Sequence, residues 1–156
     1  MRPLIPILQD CSPLWQAHRR RQVDGSGNPY LSYWVDRTLA IFYPSNTAFP
    51  GSDILSLTAT DTSSIETLAT RDNGGIVRIM IVDRAVHAPS DDNGTGDPRT
   101  VIVDTSNVGT FAAASLLTVD ATTNLTNGPT GSGVSVSSRM PVTLNGYGVA
   151  FLSLTP

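Results

Sequence analysis

The sequence predicts an all-β protein: a two-sheet antiparallel β-sandwich of about eight strands, preceded by one amphipathic helix and an irregular N-terminal arm. Charged residues make up only 15% of the 156 residues, well below the roughly 25% that is usual in soluble domains. Ser, Thr, Gly and Pro are abundant, and they favour turns and short strands over long surface helices. Beyond residue 52, apolar and polar residues alternate with the period of half-buried strands.

The N-terminal arm, residues 1–28, has no sustained hydrophobic period, and residues 24–28 have the composition of a loop. Its start combines Arg2 with an apolar stretch, but Pro3, Pro6 and the early Asp10 are unlike the apolar core of a signal peptide. No apolar run approaches the roughly 18 residues that span a bilayer. We therefore expect a soluble protein with no membrane partner, and secretion stays open.

A helix is predicted over residues 29–43, where Asn28 is placed to cap it and Pro29 to occupy its first position. Its apolar stripe at helical spacing consists of Leu31, Trp34, Val35, Thr38, Leu39 and Phe42. The sandwich, the N-terminal arm or a second copy of the chain must cover this stripe. We therefore expect a homo-oligomer with the helix at or near its contact.

The sandwich is predicted over residues 52–156, because short apolar runs alternate there with turn residues. The predicted strands are Ile54–Thr60, Ile65–Arg71, Ile76–Arg84, Arg99–Asp104, Ala112–Asp120, Val134–Ser138, Pro141–Leu144 and Val149–Leu154. Residues 72–75, Asp-Asn-Gly-Gly, predict a tight hairpin, since Asn-Gly and Gly-Gly pairs accept the positive φ that such turns need.

Several classes of chemistry are excluded by composition. All ten basic residues are Arg, so neither a Schiff base nor a phosphate-loop lysine is available. Glu66 is the only Glu, which rules out a Glu/Glu acid–base pair, and Cys11 is the only Cys, which rules out an intrachain disulfide. The net charge of −3 argues against nucleic acid as a partner.

Three stretches of the chain carry a resemblance to a known family. They are the helical stretch Tyr30–Pro44 followed by Pro50–Leu55, the hairpin Ile65–Arg84, and the closing pair Met140–Leu154. This order resembles the C-terminal β-sandwich that stands beside the catalytic barrel in retaining glycoside hydrolases of the xylosidase, arabinofuranosidase and heparanase-like groups. The resemblance covers roughly residues 29–156.

Two departures from that family matter. Asp83 stands where the family usually has Asn, and residues 85–98 enlarge a loop that is often short. The barrel with its two catalytic Glu is missing, so no catalytic residue is carried over. The resemblance implies a non-catalytic module with a carbohydrate-binding or structural role, whose partner is a polysaccharide or a glycoside hydrolase catalytic domain.

Two other functions stay open. One is a glycoside hydrolase for a xylan- or arabinan-type substrate, which acts with a separate barrel or through Asp carboxylates. The separation of two carboxyl groups in space decides that chemistry, and sequence distance does not show it. The other is a structural assembly subunit that uses the helix.

Carbohydrate-binding candidates are the aromatic residues outside the predicted core, because sugar rings stack on exposed aromatic faces. Tyr147 lies in a predicted turn between two glycines, and Tyr30 and Tyr33 share a helix face away from the stripe. Trp34 lies on the stripe and is expected in the core. A rim tyrosine with no ligand is the alternative for each candidate.

A calcium site is the one cofactor candidate. Asp91, Asn93, Thr95 and Asp97 offer the hard oxygen donors that Ca²⁺ prefers. Ile102 stands where an EF-hand loop requires Glu, so the ligand set is incomplete. A solvated loop without metal explains the same composition, and we expect weak calcium binding if any.

Overall fold

A computed structural model describes residues 22–43, 53–85 and 96–156 of the chain. Within these described residues the chain forms one helix, α1 (Leu31–Phe42). The strands are β1 (Asp53–Leu55), β2 (Ile65–Arg71), β3 (Val77–Asp83), β4 (Pro98–Asp104), β5 (Ala113–Val119), β6 (Ser132–Val134), β7 (Arg139–Asn145) and β8 (Gly148–Thr155). The described part is therefore mostly β, which confirms the predicted fold class.

The strands form two antiparallel sheets. A six-stranded sheet has the order β1-β2-β3-β8-β5-β6, and a two-stranded sheet consists of β4 and β7. Every neighbouring pair is antiparallel. The predicted two-sheet sandwich of about eight strands is confirmed.

The main core lies between the two sheets. In β3, the alternate residues Val77, Ile79 and Ile81 are buried, and in β7 the alternate residues Met140, Val142 and Leu144 have no exposed surface. These side chains belong to one apolar cluster together with alternate residues of β2 and β8. Because side chains alternate along a strand, every second residue of β3 and β7 points into this core.

A second apolar layer lies on the other face of the six-stranded sheet, where α1 packs. Trp34 of α1 forms a buried cluster there with Val119, Val149 and Phe151, and the helix residues Leu31, Val35 and Phe42 pack against it. The six-stranded sheet thus covers most of the helical stripe. The expectation that something must cover the stripe is met by the sandwich, and the homo-oligomer stays a prediction.

The hairpin between β2 and β3 is where the sequence predicted it. The N–H of Gly75 donates to the carbonyl of Asp72 at 2.9 Å, and Gly75 has a φ of 80°. One carboxylate oxygen of Asp72 accepts bonds from the N–H groups of Gly74 and Ile76, while the other accepts from Arg78 at 2.7 Å. Both the glycine and the aspartate therefore hold the turn.

Two strands differ from their predicted bounds by more than two residues at one end. The first strand ends at Leu55 and not at Thr60; Leu57 is exposed, although Ala59 still packs against the main core. The sixth strand is Ser132–Val134 and not Val134–Ser138. Val136 is exposed and the hydroxyl of Ser137 donates locally to the carbonyl of Arg139.

The helix begins after Tyr30, which makes no side-chain capping bond, so the predicted cap at Asn28 is wrong. Asn28 instead donates its backbone N–H and its side-chain amide to the carboxylate of Asp24, at 2.8 and 2.9 Å. The N–H of Tyr30 donates to the carbonyl of Gln22 at 2.8 Å. Asn28 therefore belongs to the loop before the helix, two residues short of the N-cap position at Tyr30. Residues 1–21 of the predicted arm lie outside the described residues.

Within residues 22–43, 53–85 and 96–156, no helix combines the length and the apolar composition needed to cross a bilayer.

Candidate functional site

Polar side chains gather at one end of the sandwich. The register pairs Asp83 with Gly148 and Val119 with Val149, so β3 and β5 end where β8 begins. The turn between β7 and β8 and the loop after β5 lie at the same end. We call this region the polar end of the sandwich.

Asp120, directly after β5, organises the polar end and has no exposed surface. Its Oδ1 accepts bonds from the N–H and the hydroxyl of Thr122, at 2.9 and 2.7 Å. Its Oδ2 accepts from the N–H and the side-chain amide of Asn145, at 2.8 and 3.2 Å. Burial alone would raise the pKa of Asp120, but the bonds from Thr122 and Asn145 outweigh it and lower that pKa.

Asn124 holds the next turn of the same loop. Its Oδ1 accepts bonds from the N–H groups of Thr126 and Asn127, both at 2.9 Å. Its backbone carbonyl accepts from the N–H of Gly128 at 2.7 Å. Asp120 and Asn124 therefore fix two successive turns with their side chains, as these residue types do in capped turns.

Trp34 joins this loop to α1. Its Nε1 donates to the carbonyl of Leu125 at 2.9 Å, which satisfies the polar atom of a buried indole. Gly128 has a φ of 83°, and a Cβ on it would lie 2.5 Å from Cζ3 of Trp34. The ring occupies the space that any other residue would need, so the contact requires glycine. The prediction that Trp34 is a core residue is confirmed.

A shallow depression of about 240 Å³ opens beside this loop. We call it the threonine-lined depression; its lining residues are Thr118, Thr122, Thr123, Asn124, Gly128, Pro129 and Thr130. None of these side chains is ionisable near neutral pH. The depression can therefore donate and accept hydrogen bonds but has no group for acid–base chemistry.

The sequence analysis did not predict this depression, because its lining contains neither an aromatic ring nor a carboxylate. The available signal was the spacing of Asp120 and Asn124, each followed two residues later by Thr, with Gly128 after them. That pattern indicates two capped turns, but it does not indicate that Thr122 and Asn124 line one concave surface with Thr118 and Thr130.

An ionic cluster closes the core between the sheets at the polar end. Nη1 of Arg99 lies 2.7 Å from Oδ2 of Asp61 and 2.9 Å from the hydroxyl of Ser64, and its Nε lies 3.5 Å from Oδ2 of the buried Asp83. Hydrogen bonds from Ser63, Ser64 and Arg99 hold the pKa of Asp61 far below its usual value. Asp61 is therefore ionised at neutral pH and has no proton to give to a leaving group.

Two of the three candidate tyrosines lie at the start of α1, and the third lies in the turn before β8. Tyr147, in the turn before β8, is half-buried, and its hydroxyl is buried without a hydrogen-bond partner in the described part of the chain. Tyr30 is 47% exposed at the start of α1. Tyr33 is half-buried, and its ring meets Trp34 edge to face with centroids 5.0 Å apart. A sugar-binding role for these tyrosines stays a prediction.

The calcium prediction falls mostly outside the described residues. Asp91, Asn93 and Thr95 lie there, while Asp97 is described and exposed. Among the side chains that the structure describes, no group of three or more His, Cys, Asp or Glu is placed to hold a metal ion. Calcium binding by this loop therefore stays a prediction.

The sequence matches no protein-family model and no curated protein. Its fold is similar to that of a GH30 endoxylanase from Clostridium papyrosolvens C71, with a TM-score of 0.58, 16% identity, and coverage of 84% of this chain and 29% of that one. For the subfamily 8 GH30 xylanase Xyn30A from Clostridium acetobutylicum the TM-score is 0.57 and the identity 17%, with coverage of 86% of this chain and 30% of that one. For CelM2, a bifunctional glucanase-xylanase from a metagenome library, the TM-score is 0.55 and the identity 15%, with coverage of 82% of this chain and 23% of that one.

The chain spans less than a third of the length of each of these structures. At such low identity the likeness concerns the fold. The chain thus has a β-sandwich fold similar to that of one part of these structures, and a β-sandwich is the fold that its sequence resemblance implied.

Proposed function

We propose that this chain is a non-catalytic β-sandwich module associated with a glycoside hydrolase, with a carbohydrate-binding or structural role. One observation carries the proposal: more than four fifths of the chain matches xylanase structures, of which it spans less than a third. Its partner is then a polysaccharide, with xylan the first candidate, or a glycoside hydrolase catalytic domain.

The positions of three described carboxylates support a non-catalytic role. Glycoside hydrolysis commonly needs two carboxyl groups across the scissile bond, one of them able to donate a proton. Asp61 is held by Arg99, and Asp72 is held by Arg78 and the backbone of its turn. Asp120 is enclosed by its own bonds. These side chains stabilise turns and sheet contacts, which is a structural use of carboxylates.

Retention on insoluble polysaccharide, with a hydrolysis assay in parallel, tests this function. The purified chain is mixed with xylan, arabinan, mixed-linkage glucan and cellulose, and reducing sugar is measured in the same tubes. For a carbohydrate-binding role we expect retention on xylan, and for a structural role no retention on any of the four polysaccharides. In both cases we expect no release of reducing sugar. Sugar release that Glu66→Gln or Asp61→Asn abolishes, and that Asp104→Asn leaves intact, would establish the glycosidase alternative instead.

A second candidate function, an assembly subunit, is favoured by apolar side chains that the sheet leaves uncovered. Leu39 and Ile41 of α1 are 37% and 70% exposed, and Ile54 of the edge strand β1 is 70% exposed. Large exposed apolar side chains are typical of protein contact surfaces. A second copy of this chain, packed across the end of α1, would cover them.

Sedimentation of wild type and Ile41→Asp tests that candidate. A dimer that dissociates in Ile41→Asp and persists in Ile102→Asp, which alters an exposed residue of β4, would support it. Trp34→Asp is the wrong variant for this test, because it places a charge inside the apolar layer between helix and sheet. A monomeric wild type contradicts the assembly candidate.

A further inference from the structure

We infer that the threonine-lined depression binds one neutral sugar ring of a polysaccharide chain, held by hydrogen bonds from its threonine hydroxyls and the side-chain amide of Asn124. This inference rests on the carbohydrate-binding form of the proposed function and says where on the sandwich the sugar would bind. It also separates the sugar contact from the three tyrosines that the sequence indicated.

The walls of the depression are fixed before any ligand arrives. Asp120 and Asn124 hold the backbone of the loop with their side-chain oxygens, and the Trp34 indole bonds to Leu125 on its other side. Gly128 packs against the Trp34 ring so closely that a Cβ on it would collide with the ring. A preformed surface loses little conformational entropy on binding, which matters most for a weak ligand such as one sugar ring.

The polar groups that remain available suit hydroxyl groups. The Thr123 hydroxyl accepts the N–H of Asp120 and so keeps its own proton to donate. The Thr122 hydroxyl donates to Asp120 and so keeps a lone pair to accept. Asn124 uses its Oδ1 for the loop, and no bond to a described residue occupies its Nδ2. Adjacent donors and acceptors match sugar hydroxyls, each of which both donates and accepts.

The charge and size of the depression narrow the ligand class. None of its seven lining residues is charged, so a phosphate or a sugar acid would lose hydration without gaining a cation. Threonine methyl groups and the Pro129 ring offer apolar surface to sugar C–H groups. At about 240 Å³ the depression is smaller than the roughly 300–1,000 Å³ of drug-sized sites. These features indicate one neutral pentose or hexose unit.

Asn124→Asp is the decisive variant, because it keeps the Oδ1 that holds the loop and replaces the Nδ2 donor with an oxygen. Asn127→Asp is its matched control: the same chemical change in the same loop, at a residue that does not line the depression. Thr130→Val removes a lining hydroxyl at constant shape. The melting temperature of each variant is compared with wild type, so that loss of binding is not confused with loss of fold.

The experiment is an amide NMR titration of the full chain with neutral xylo-, arabino- and cello-oligosaccharides, and with galacturonate oligosaccharides as charged probes. We expect shifts centred on residues 122–130 with a neutral probe, an affinity at least tenfold lower in Asn124→Asp, and less than twofold change in Asn127→Asp. Shifts centred on the tyrosines, equal affinity in Asn124→Asp and wild type, or tighter binding of galacturonate would overturn the inference and leave the proposed function standing. A wild type that binds neither these probes nor any polysaccharide would overturn the carbohydrate-binding role and this inference together.

Discussion

Asp120 and Asn145 are joined by two hydrogen bonds that tie one sheet to the other. Asp120 directly follows β5 of the six-stranded sheet, and Asn145 is the last residue of β7 in the two-stranded sheet. The Asp120 carboxylate reaches both the backbone N–H and the side-chain amide of Asn145. A single buried carboxylate thus connects the two layers at the polar end.

Asp120→Asn should destabilise the fold by about 2 kcal/mol, because its amide N–H₂ would face donors that now bind a carboxylate oxygen. Urea unfolding measures the change. Asp104→Asn is the matched control, since Asp104 caps a turn through Ser106 in the same way but contacts no second sheet. Equal losses in both variants would contradict a bridging role for Asp120.

Acid should destabilise the protein below about pH 4. The pKa values of Asp61 and Asp120 are lowered in the folded state, whereas an unfolded Asp has a pKa of roughly 3.9. Their contribution to stability is therefore complete above the unfolded value and is lost as the pH falls through the folded values. We expect the free energy of unfolding to be nearly constant between about pH 5 and 7 and to fall below that range.

Urea titrations at a series of acidic pH values check this dependence. The double variant Asp61→Asn/Asp120→Asn should show a shallower loss of stability with acid than the wild type. A wild type that becomes more stable as the pH falls below 4 would contradict the assignment.

Gly128→Ala should cost about 3 kcal/mol, because it combines a positive φ with a collision against the Trp34 ring. Two other glycines separate these causes. Gly27 has a similar φ of 85° with open space around it, so Gly27→Ala should cost roughly 1–2 kcal/mol from the backbone alone. Gly133 has neither feature, and Gly133→Ala should be nearly neutral. A Gly128→Ala effect no larger than that of Gly27→Ala would mean that the ring can move aside.

Arg99→Met should lower the denaturation midpoint more than Arg84→Met does. Arg99 neutralises the buried Asp83 as well as Asp61, and removing it leaves a buried charge without its partner. Arg84 pairs with Glu66 where both side chains are more than half exposed, and such pairs contribute little. Restoration of the midpoint in Arg99→Met/Asp83→Asn would confirm the cause, and no difference between the two single variants would refute it.

The fold was predictable because its signals are local. Alternation in β3 and β7 and the turn residues at Asp72 and Gly75 depend on neighbours in the chain. Strand ends were less predictable: Leu57 has the right alternation for a strand but no sheet to cover it. The cap at Asn28 was wrong because the helix begins only at Leu31, while the donors of Asn28 bind Asp24 in the preceding loop.

The candidate site was not predictable because it depends on distant contacts. Trp34 meets Leu125 across 91 residues of sequence, and Asp120 meets Asn145 across 25. Thr122 and Thr130 have no pattern that shows they share a surface. Only the packing of α1 on the outer face of the sheet brings the indole under this loop.

The central place of β8 in its sheet has a consequence for the synthesis of the protein. β8 lies between β3 and β5 and supplies residues to both apolar layers, yet it follows the other described strands along the chain. A chain leaving the ribosome therefore presents the unpaired edges of β3 and β5 until residues 148–155 have emerged, and unpaired strand edges are sites of aggregation. Because its central pairings are distant in sequence, folding should be slow for a chain of this size.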